Sequence, residues 1–429
     1  MTCNTREFFK LFFGELEKRG IAHVILHSYQ EFPEKITSDI DYAVPDKYLP
    51  GLRAIQSELA RKNGWALVQT LQHGVFAYYA VLVNLENPAE FLKLDACSNY
   101  ARARRFLVPE KVLLENRIPC RGFYIPAPAA EFIYVLAKVF DAKHKSPAKY
   151  LPRLKDLWQQ DPAGAQTNFD NVFGNTGKTL EQWFSTPADD WKRLGTLMLA
   201  RNRFGPVLML RESARVVKRA WHPTGFSFAV LGSDGSGKTT LLARVRTLLE
   251  PCFRYQQTLH FRPQVLRKRT PGDDATITNP HGQTPENPML SWLKVGYYFA
   301  DHWAGWALLV LPGRIRSTLV IFDRDFDDML VDQKRYRLSG CAALVRVLRA
   351  LVPHPQRTFI LSAPAAVLHQ RKPELSVVEL ERQQQVFQQL ATDQKRYLLI
   401  SAELPPDRVA EIVWREVVLR LAAREEKRT

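Results

Sequence analysis

An apolar run, Phe226–Leu231, gives way to Gly232-Ser233-Asp234-Gly235-Ser236-Gly237-Lys238-Thr239 and then to Thr240, Leu241 and Leu242. Strand, glycine-rich turn and helix in that order commit this part of the chain to one local geometry. The glycines let backbone N–H groups curl round an anion at a helix N-terminus, where the helix dipole favours negative charge. Lys238 is spaced to reach the β- and γ-phosphates of a bound polyphosphate, and Thr239 to ligand the Mg²⁺ that accompanies it. Gly232, Ser233, Gly235, Ser236, Gly237, Lys238, Thr239 and Thr240 are therefore the expected cradle for a nucleoside triphosphate, with ATP and Mg²⁺ as the expected cofactors. A glycine-rich turn without a ligand is the alternative, and the strand before and helix after count against it.

The surroundings set the fold class. Beyond a break at Pro223-Thr224-Gly225, β-type runs recur at Phe226–Leu231, Gln256–Phe261, Thr318–Phe322, Thr358–Leu361 and Tyr397–Ile400, separated by helix-length segments. Strands that alternate with helices pair in parallel, and the helices cover both faces of the sheet. An α/β fold is expected, with a five-stranded parallel sheet and ligands at the C-terminal strand ends, where the glycine loop lies. Residues 21–97 alternate Ile21–Leu26, Ile40–Val44, Ala66–Leu71, Phe76–Val83 and Phe91–Ala96 with one helical stretch, Lys47–Lys62, which reads as a small mixed α/β domain. Residues 127–220 are helical in pattern, broken around Lys145–Pro152 and Asp161–Thr176. The expected division is 1–126, 127–222 and 223–429.

Composition narrows the class of partner. A chain of 429 residues, 46% hydrophobic and 24% charged, can bury two or three cores. Its formal charge of +16 favours anionic partners: nucleotides, phosphorylated substrates, acidic lipid surfaces or nucleic acid. No zinc, RRM-like or helix-turn-helix signature is present, which ranks nucleic acid last. The 5 cysteines, Cys3, Cys97, Cys120, Cys252 and Cys341, are odd in number and lack metal-ligand spacing, as suits reduced thiols in a cytoplasmic protein. The N-terminus reads as an amphipathic helix with Asn4 and Glu7 at capping-box spacing, not as a signal peptide. No stretch long enough to span a bilayer, about 20 residues, is free of charge. The nearest, Trp292–Leu311, contains Lys294, Asp301 and His302 and reads as a helix packed on a sheet; a place on a membrane surface is the alternative. Arg201, Arg203, Arg211, Arg215, Lys218 and Arg219 form either a solvated helix face or an anion or interdomain contact. Peripheral membrane contact and oligomeric state, a dimer included, stay open.

The third β-run after the break ends in Asp323, followed at once by Arg324. A carboxylate delivered there can hold Mg²⁺, and the arginine can grip a phosphate or carboxylate bidentately. Pairing of the two with each other alone is the competing reading. By these residues, 226–425 resembles thymidylate kinase and related nucleoside monophosphate kinases. The likeness rests on the glycine loop with Asp234 at its third position, the Asp323-Arg324 pair, Arg262-Pro263 and the arginine-bearing segment Leu368–Gln383. It implies phosphoryl transfer, with Lys238 and Arg371, together with Lys372, on the transferring group. Asp234 would orient or deprotonate an acceptor hydroxyl, while Arg262 and Arg324 position the acceptor. The chain departs from that family in Asp325 and the sequence FDDMLVDQKRYR, and in a polar insert from Thr270 to Pro288. Both fall where the acceptor would lie, so thymidylate is not carried over. Lys334, Arg335 and Arg337 are candidate acceptor ligands or an exposed charged helix.

A second candidate site lies upstream. Asp39 and Asp41 sit two apart on one strand, so both point to one face, and Asp95 lies in another β-run. Three converging carboxylates can hold two Mg²⁺ ions beside an α-phosphate. The segment resembles the minimal nucleotidyltransferase pattern, with Ser28 ahead of the Asp-x-Asp strand, but His27 stands where that pattern has glycine. Nearly end to end, the chain resembles proteins that join such a domain to a thymidylate-kinase-like one, a family associated with bacterial surface-glycan pathways. The resemblance implies a small-molecule, glycan or glycolipid acceptor. The expected function is an ATP- and Mg²⁺-dependent phosphotransferase. The alternatives are nucleotidyl transfer through Asp39, Asp41 and Asp95, and a nucleotide-dependent scaffold at a membrane surface.

Overall fold

The computed structural model describes residues 3–102, 104–141, 150–174, 176–186, 191, 194–196, 203–266 and 284–428. The fold is mixed α/β and divides by packing into two units, Met1–Trp221 with Val418–Thr429, and His222–Val417.

In the first unit, α1 (Thr5–Lys18) begins at Asn4, whose side chain accepts from the Glu7 N–H while Glu7 reaches back to the Asn4 N–H. Its buried face is almost wholly aromatic: Phe8, Phe9, Phe12 and Phe13, with Leu16. These pack on a sheet of order β1-β2-β5-β4-β3, formed by β1 (Val24–Ile25), β2 (Ile40–Ala43), β3 (Trp65–Gly74), β4 (Ala77–Asn84) and β5 (Phe91–Cys97). β2 and β5 are parallel and the other pairs antiparallel. Alternation sorts the side chains. Ile40, Tyr42, Leu92, Leu94 and Ala96 share a core with α1 and with α2 (Leu52–Lys62). Ala43 and Cys97, facing the other way, share a second core with the helices that follow. The helix expected from Lys47 is a short 3₁₀ turn over Asp46–Gly51 that contains Pro50, and α2 begins only after it, because proline cannot donate the N–H a continuous helix needs.

Two short hairpins follow, β6 (Tyr100–Arg102) with β7 (Arg105–Val108) and β8 (Ile118–Cys120) with β9 (Phe123–Ile125), interrupted by α3 (Glu110–Leu114). Then come α4 (Pro128–Asp141), α5 (Leu151–Gln160), α6 (Pro162–Phe173), α7 (Leu180–Phe184) and α8 (Pro206–Trp221). Most of the expected break at Asp161–Thr176 is helix α6: Asp161 is its N-cap, accepting from the Gly164 N–H at 2.9 Å, and Pro162 opens it where no N–H is required. Pro152 likewise sits in the first turn of α5, so that break lies no further than its N-terminus, while 145–149 fall outside the described residues.

In the second unit, β10 (Phe226–Gly232), β11 (Tyr255–His260), β12 (Thr318–Asp323), β13 (Arg357–Ser362) and β14 (Tyr397–Ser401) form one all-parallel sheet of order β11-β12-β10-β13-β14. These are the five β-runs expected after Pro223. β10 is central and every residue of it is buried, which is why it reads as a continuous apolar run. The connecting helices are α9 (Lys238–Leu249), α10 (Pro288–Gly305), α11 (Leu311–Ile315), α12 (Asp328–Val331), α13 (Ala342–Leu351), α14 (Ala365–Arg371) and α15 (Val377–Leu390); α16 (Pro406–Glu426) follows β14, its residues from Val418 on belonging to the first unit. α10 continues through a wider-wound stretch, Trp306–Val310, into α11. Within the expected Trp292–Leu311 helix, Val295, Asp301 and His302 are buried while Trp292 and Leu293 stay more than half exposed. Among the described residues no helix is long and apolar enough to cross a membrane. The insert expected from Thr270 lies outside the described residues up to 283. All five cysteines are free.

Candidate functional site

β10 delivers the chain to the loop at the carboxyl end of the sheet. At Gly232 a side chain would meet Ser236 Oγ at 2.6 Å and the Leu361 carbonyl oxygen at 2.9 Å. At Gly235, φ is +81° and a Cβ would lie 3.0 Å from the Leu368 carbonyl oxygen, 3.3 Å from Lys372 Cβ and 3.5 Å from Arg371 Cβ. Only glycine accepts both the left-handed backbone and that approach. Gly235 therefore brings the segment expected to close over the loop into van der Waals contact with it. α9 starts at Lys238 with Gly237 as N-cap, so its first-turn N–H groups face the loop without helical partners. Thr239 and Thr240, in that turn, are exposed.

Lys238 is buried at this junction, and its ammonium donates to the carbonyls of Gly232 at 2.7 Å and Ser233 at 3.0 Å. Burial, with the neighbouring Arg324, brings its pKa down to about 7 against the pull of Asp234, Asp328 and Asp323. Ser233 is fixed by Gln383 at 2.8 Å and Gln384 at 3.1 Å, and Gln384 also accepts from Ser362 at 2.6 Å. Gln384 and Ser362 line a cavity of about 610 Å³ with Pro364, Gln388, Ser401 and Glu403.

Asp323 closes β12 opposite Val230 of β10. Its Oδ2 pairs with His260 Nδ1 at 3.0 Å, while Oδ1 is buried with no hydrogen-bond partner. Burial alone raises its pKa, but the His260 contact, Arg324 and Lys238 leave it below the usual carboxylate range. Such an orphaned oxygen fits a cation, and Thr239 carries the other oxygen suited to Mg²⁺. Ser236 Oγ is a second buried polar atom without a partner, within the loop itself.

Arg324 is 6% exposed and holds φ at +70°, a conformation uncommon for a side-chain-bearing residue and strained enough to mark a constrained site. Its two terminal nitrogens divide between acids: Nη1 reaches both oxygens of Asp328 at 3.1 Å and Nη2 reaches Asp234 Oδ1 at 2.8 Å. Arg335 takes the other Asp234 oxygen and pairs with Asp332 at 3.2 Å. The Tyr336 hydroxyl donates to Asp328 at 2.6 Å. Burial would raise the Asp234 pKa, yet Arg335, Arg324 and Lys238 hold it at about 2. With both oxygens engaged and so low a pKa, Asp234 positions the two guanidinium groups and has little capacity as a base.

The charged ends of the remaining expected residues pair outside this network. Arg262 donates to the Tyr297 hydroxyl at 3.0 Å, lies 3.5 Å from Asp301 and stacks over Tyr297 and Tyr298. Lys334 is 64% exposed, 3.8 Å from Glu379, and Arg337 donates to the Thr284 carbonyl. Arg371 Nη1 donates to the Ala402 carbonyl at 2.9 Å, and Lys372 pairs with Glu374 at 3.0 Å.

In the first unit, Asp41 and Asp95 face each other across β2 and β5 and line a cavity of about 220 Å³ with Lys138, Arg102 and Asn99. The expected three-carboxylate metal site is not assembled. Among the described residues no group of three or more His, Cys, Asp or Glu could hold a metal ion. Asp41 is taken by Lys138 at 2.7 Å and His27 at 2.5 Å, and these contacts outweigh its burial to hold its pKa at about 2. Asp95 pairs with His73 at 2.8 Å. Asp39 precedes the strand and lines a different cavity, with Lys93, where burial and then Asp95 and Asp41 push its pKa up. The tight turn expected ahead of Asp39 is present: Ser28 holds φ at +58°, and His27 Nδ1 lies 2.6 Å from Ser28 Oγ. The residue missed from sequence is Lys138, which stands 97 positions from Asp41 on α4, a helix otherwise read as connecting structure.

No protein-family model matches the chain, and no curated protein matches it in sequence.

Proposed function

We propose that the second unit is an ATP- and Mg²⁺-dependent phosphoryl transferase of the P-loop kinase class, similar in plan to thymidylate kinase but acting on another acceptor. The observation that carries this is a convergence at the carboxyl ends of β10 and β12. There, buried Lys238 and the loop meet Asp323, whose Oδ1 is buried without a partner. In the reaction the bond between the γ-phosphorus and its bridging oxygen to the β-phosphate breaks as an acceptor oxygen bonds to that phosphorus, and the nucleoside diphosphate leaves. Loop N–H groups and Lys238 bind the β- and γ-phosphates; Lys238 gives up the Gly232 and Ser233 carbonyls for them. Thr239 and Asp323 would hold Mg²⁺, which when bound neutralises charge on the phosphates. The cavity beside Gln384 and Ser362 receives the nucleoside end.

Arg324 and Arg335, locked by Asp234, Asp328 and Asp332, orient the acceptor. Because Asp234 is already fully paired, the arrangement favours an anionic acceptor such as a phosphate monoester, whose oxygen attacks without losing a proton. Arg371 lies beside Gly235, from where its guanidinium can exchange the Ala402 carbonyl for the transferring group. Nucleotidyl transfer at Asp39, Asp41 and Asp95 gains no comparable support, since Lys138 and His27 fill the carboxylate that would bind a cation.

Lys238→Ala is expected to lower phosphoryl transfer from ATP about 10²–10³-fold or more while the melting temperature stays within a few degrees. Transfer is followed by mass spectrometry of a phosphorylated metabolite pool. Undiminished turnover in a folded variant removes the assignment.

A further inference from the structure

The helix α8 turns its chemistry inside out. Its polar side is the one held against the first unit: Arg215 donates to the Gln72 carbonyl at 3.0 Å and is clasped by Glu212, while Arg211 lies 3.9 Å from Asp46 and over the Phe76 ring. No residue of the helix is buried. Leu208 and Met209 are half-buried, but the other large apolar side chains are exposed, with Val207 and Leu210 each 72% exposed, Val217 56%, Val216 51% and Trp221 80%. At about 100° per residue, Val207, Leu210, Val217 and Trp221 fall within about 80° of the circumference, and Val216 and Met209 widen the apolar arc to about half of it. A contiguous apolar surface of this kind marks a contact face, since scattered exposure gives no such order.

Charge identifies what covers it. Lys218 and Arg211 border the stripe on one edge, and the chain as a whole carries +16. The spacing 207, 210, 214, 217, 221 is also a heptad seam, so a second copy of the helix is the competing occupant. An antiparallel copy would set Arg211 and Lys218 against their own counterparts. A parallel one would set them against Ser213 and Ala220, which offer no opposite charge. An anionic bilayer satisfies both features: the apolar arc enters the acyl boundary, Lys218 on its basic edge reaches the headgroup phosphates and Trp221 sits at the interface. We propose that α8 is an interfacial anchor that seats this chain on an anionic lipid surface. The proposal does not depend on phosphoryl transfer by the second unit.

The test is flotation of the full chain with vesicles of phosphatidylcholine alone or with about a third phosphatidylglycerol. Flotation is expected with the anionic vesicles, weakened about tenfold or more by raising salt to about 1 M, with little on the neutral ones. The double variant Leu210→Glu, Val217→Glu, at exposed positions, is expected to lose about tenfold or more of the partitioning with an unchanged melting temperature. Lys218→Glu should lower the preference for anionic lipid. Absence of flotation, or equal flotation of the double variant, overturns the proposal. So does a wild-type dimer that the double variant converts to a monomer, which would assign the face to a second copy.

Discussion

In the first turn of α9, the ammonium of Lys238 is folded back onto the Gly232 and Ser233 carbonyls, with its pKa brought down to about 7 by burial and by Arg324. A lysine so depressed is largely neutral in the ligand-free site above that pH. A bound polyphosphate restores the charge by giving it an anionic partner, so the complex holds more protons than the free protein. Nucleotide affinity should therefore weaken as pH rises from about 7 toward the ordinary lysine range. Calorimetry at pH 8 in buffers of different ionisation enthalpy is expected to show uptake of up to about one proton per nucleotide, absent in Lys238→Met. Proton release, or uptake unchanged in that variant, would contradict it. Residues whose role depends on near neighbours in the chain, such as Lys238, Asp323 and Arg324, could be named from sequence. Arg335 could not be told from Lys334 and Arg337, because what selects it is Asp234, 101 positions away. His260 likewise acquires its part only when β11 pairs with β12 and places it beside Asp323.

At the level of elements, the parallel sheet announced itself because its three inner strands, β12, β10 and β13, are buried on both faces and largely apolar, while the edge strands β11 and β14 are only partly buried. Helix ends were harder. Pro50 falls in a stretch read as helix and Asp161 in one read as a break, yet the first lies inside a 3₁₀ turn that ends at Gly51 and the second caps α6, since tertiary packing decides which side of a capping residue becomes helical. The approach of Arg371 and Lys372 to the loop was expected from the resemblance, but a glycine-rich loop does not say which of its glycines meets that segment, and it is Gly235. That contact gives a sharp expectation for Gly235→Ala. The added methyl meets the Leu368 carbonyl oxygen at 3.0 Å in a backbone with φ +81°. The substitution should destabilise the protein by about 1–2 kcal/mol. It should also displace Arg371 from the loop, lowering kcat by more than the stability loss explains. Chemical denaturation and steady-state kinetics on one preparation separate the two effects. An unchanged kcat would mean that Arg371 does not act on the transferring group.

Across the whole molecule, two candidate sites lie on separate units, and charge decides between them. In the first unit the Lys138 ammonium and the His27 ring already occupy Asp41, and His73 pairs with Asp95, so among the described residues the two carboxylates that face each other there are not free to draw a divalent ion. In the second unit Asp323 keeps a buried oxygen free of partners. Chemistry that requires Mg²⁺ should thus depend on the second unit alone. The full chain is incubated with ATP, Mg²⁺ and a metabolite extract, as wild type, Lys238→Ala and Asp41→Asn, with and without a chelator. Phosphorylated products are expected from wild type and from Asp41→Asn, and none from Lys238→Ala or under chelation. No product should gain a nucleotidyl group in any arm. A nucleotidylated product that survives Lys238→Ala and disappears in Asp41→Asn would place chemistry in the first unit, with Lys138 moving aside to admit a cation. That result would leave the phosphoryl-transfer reading of the loop standing, because the two products differ by mass and by the variant that removes them.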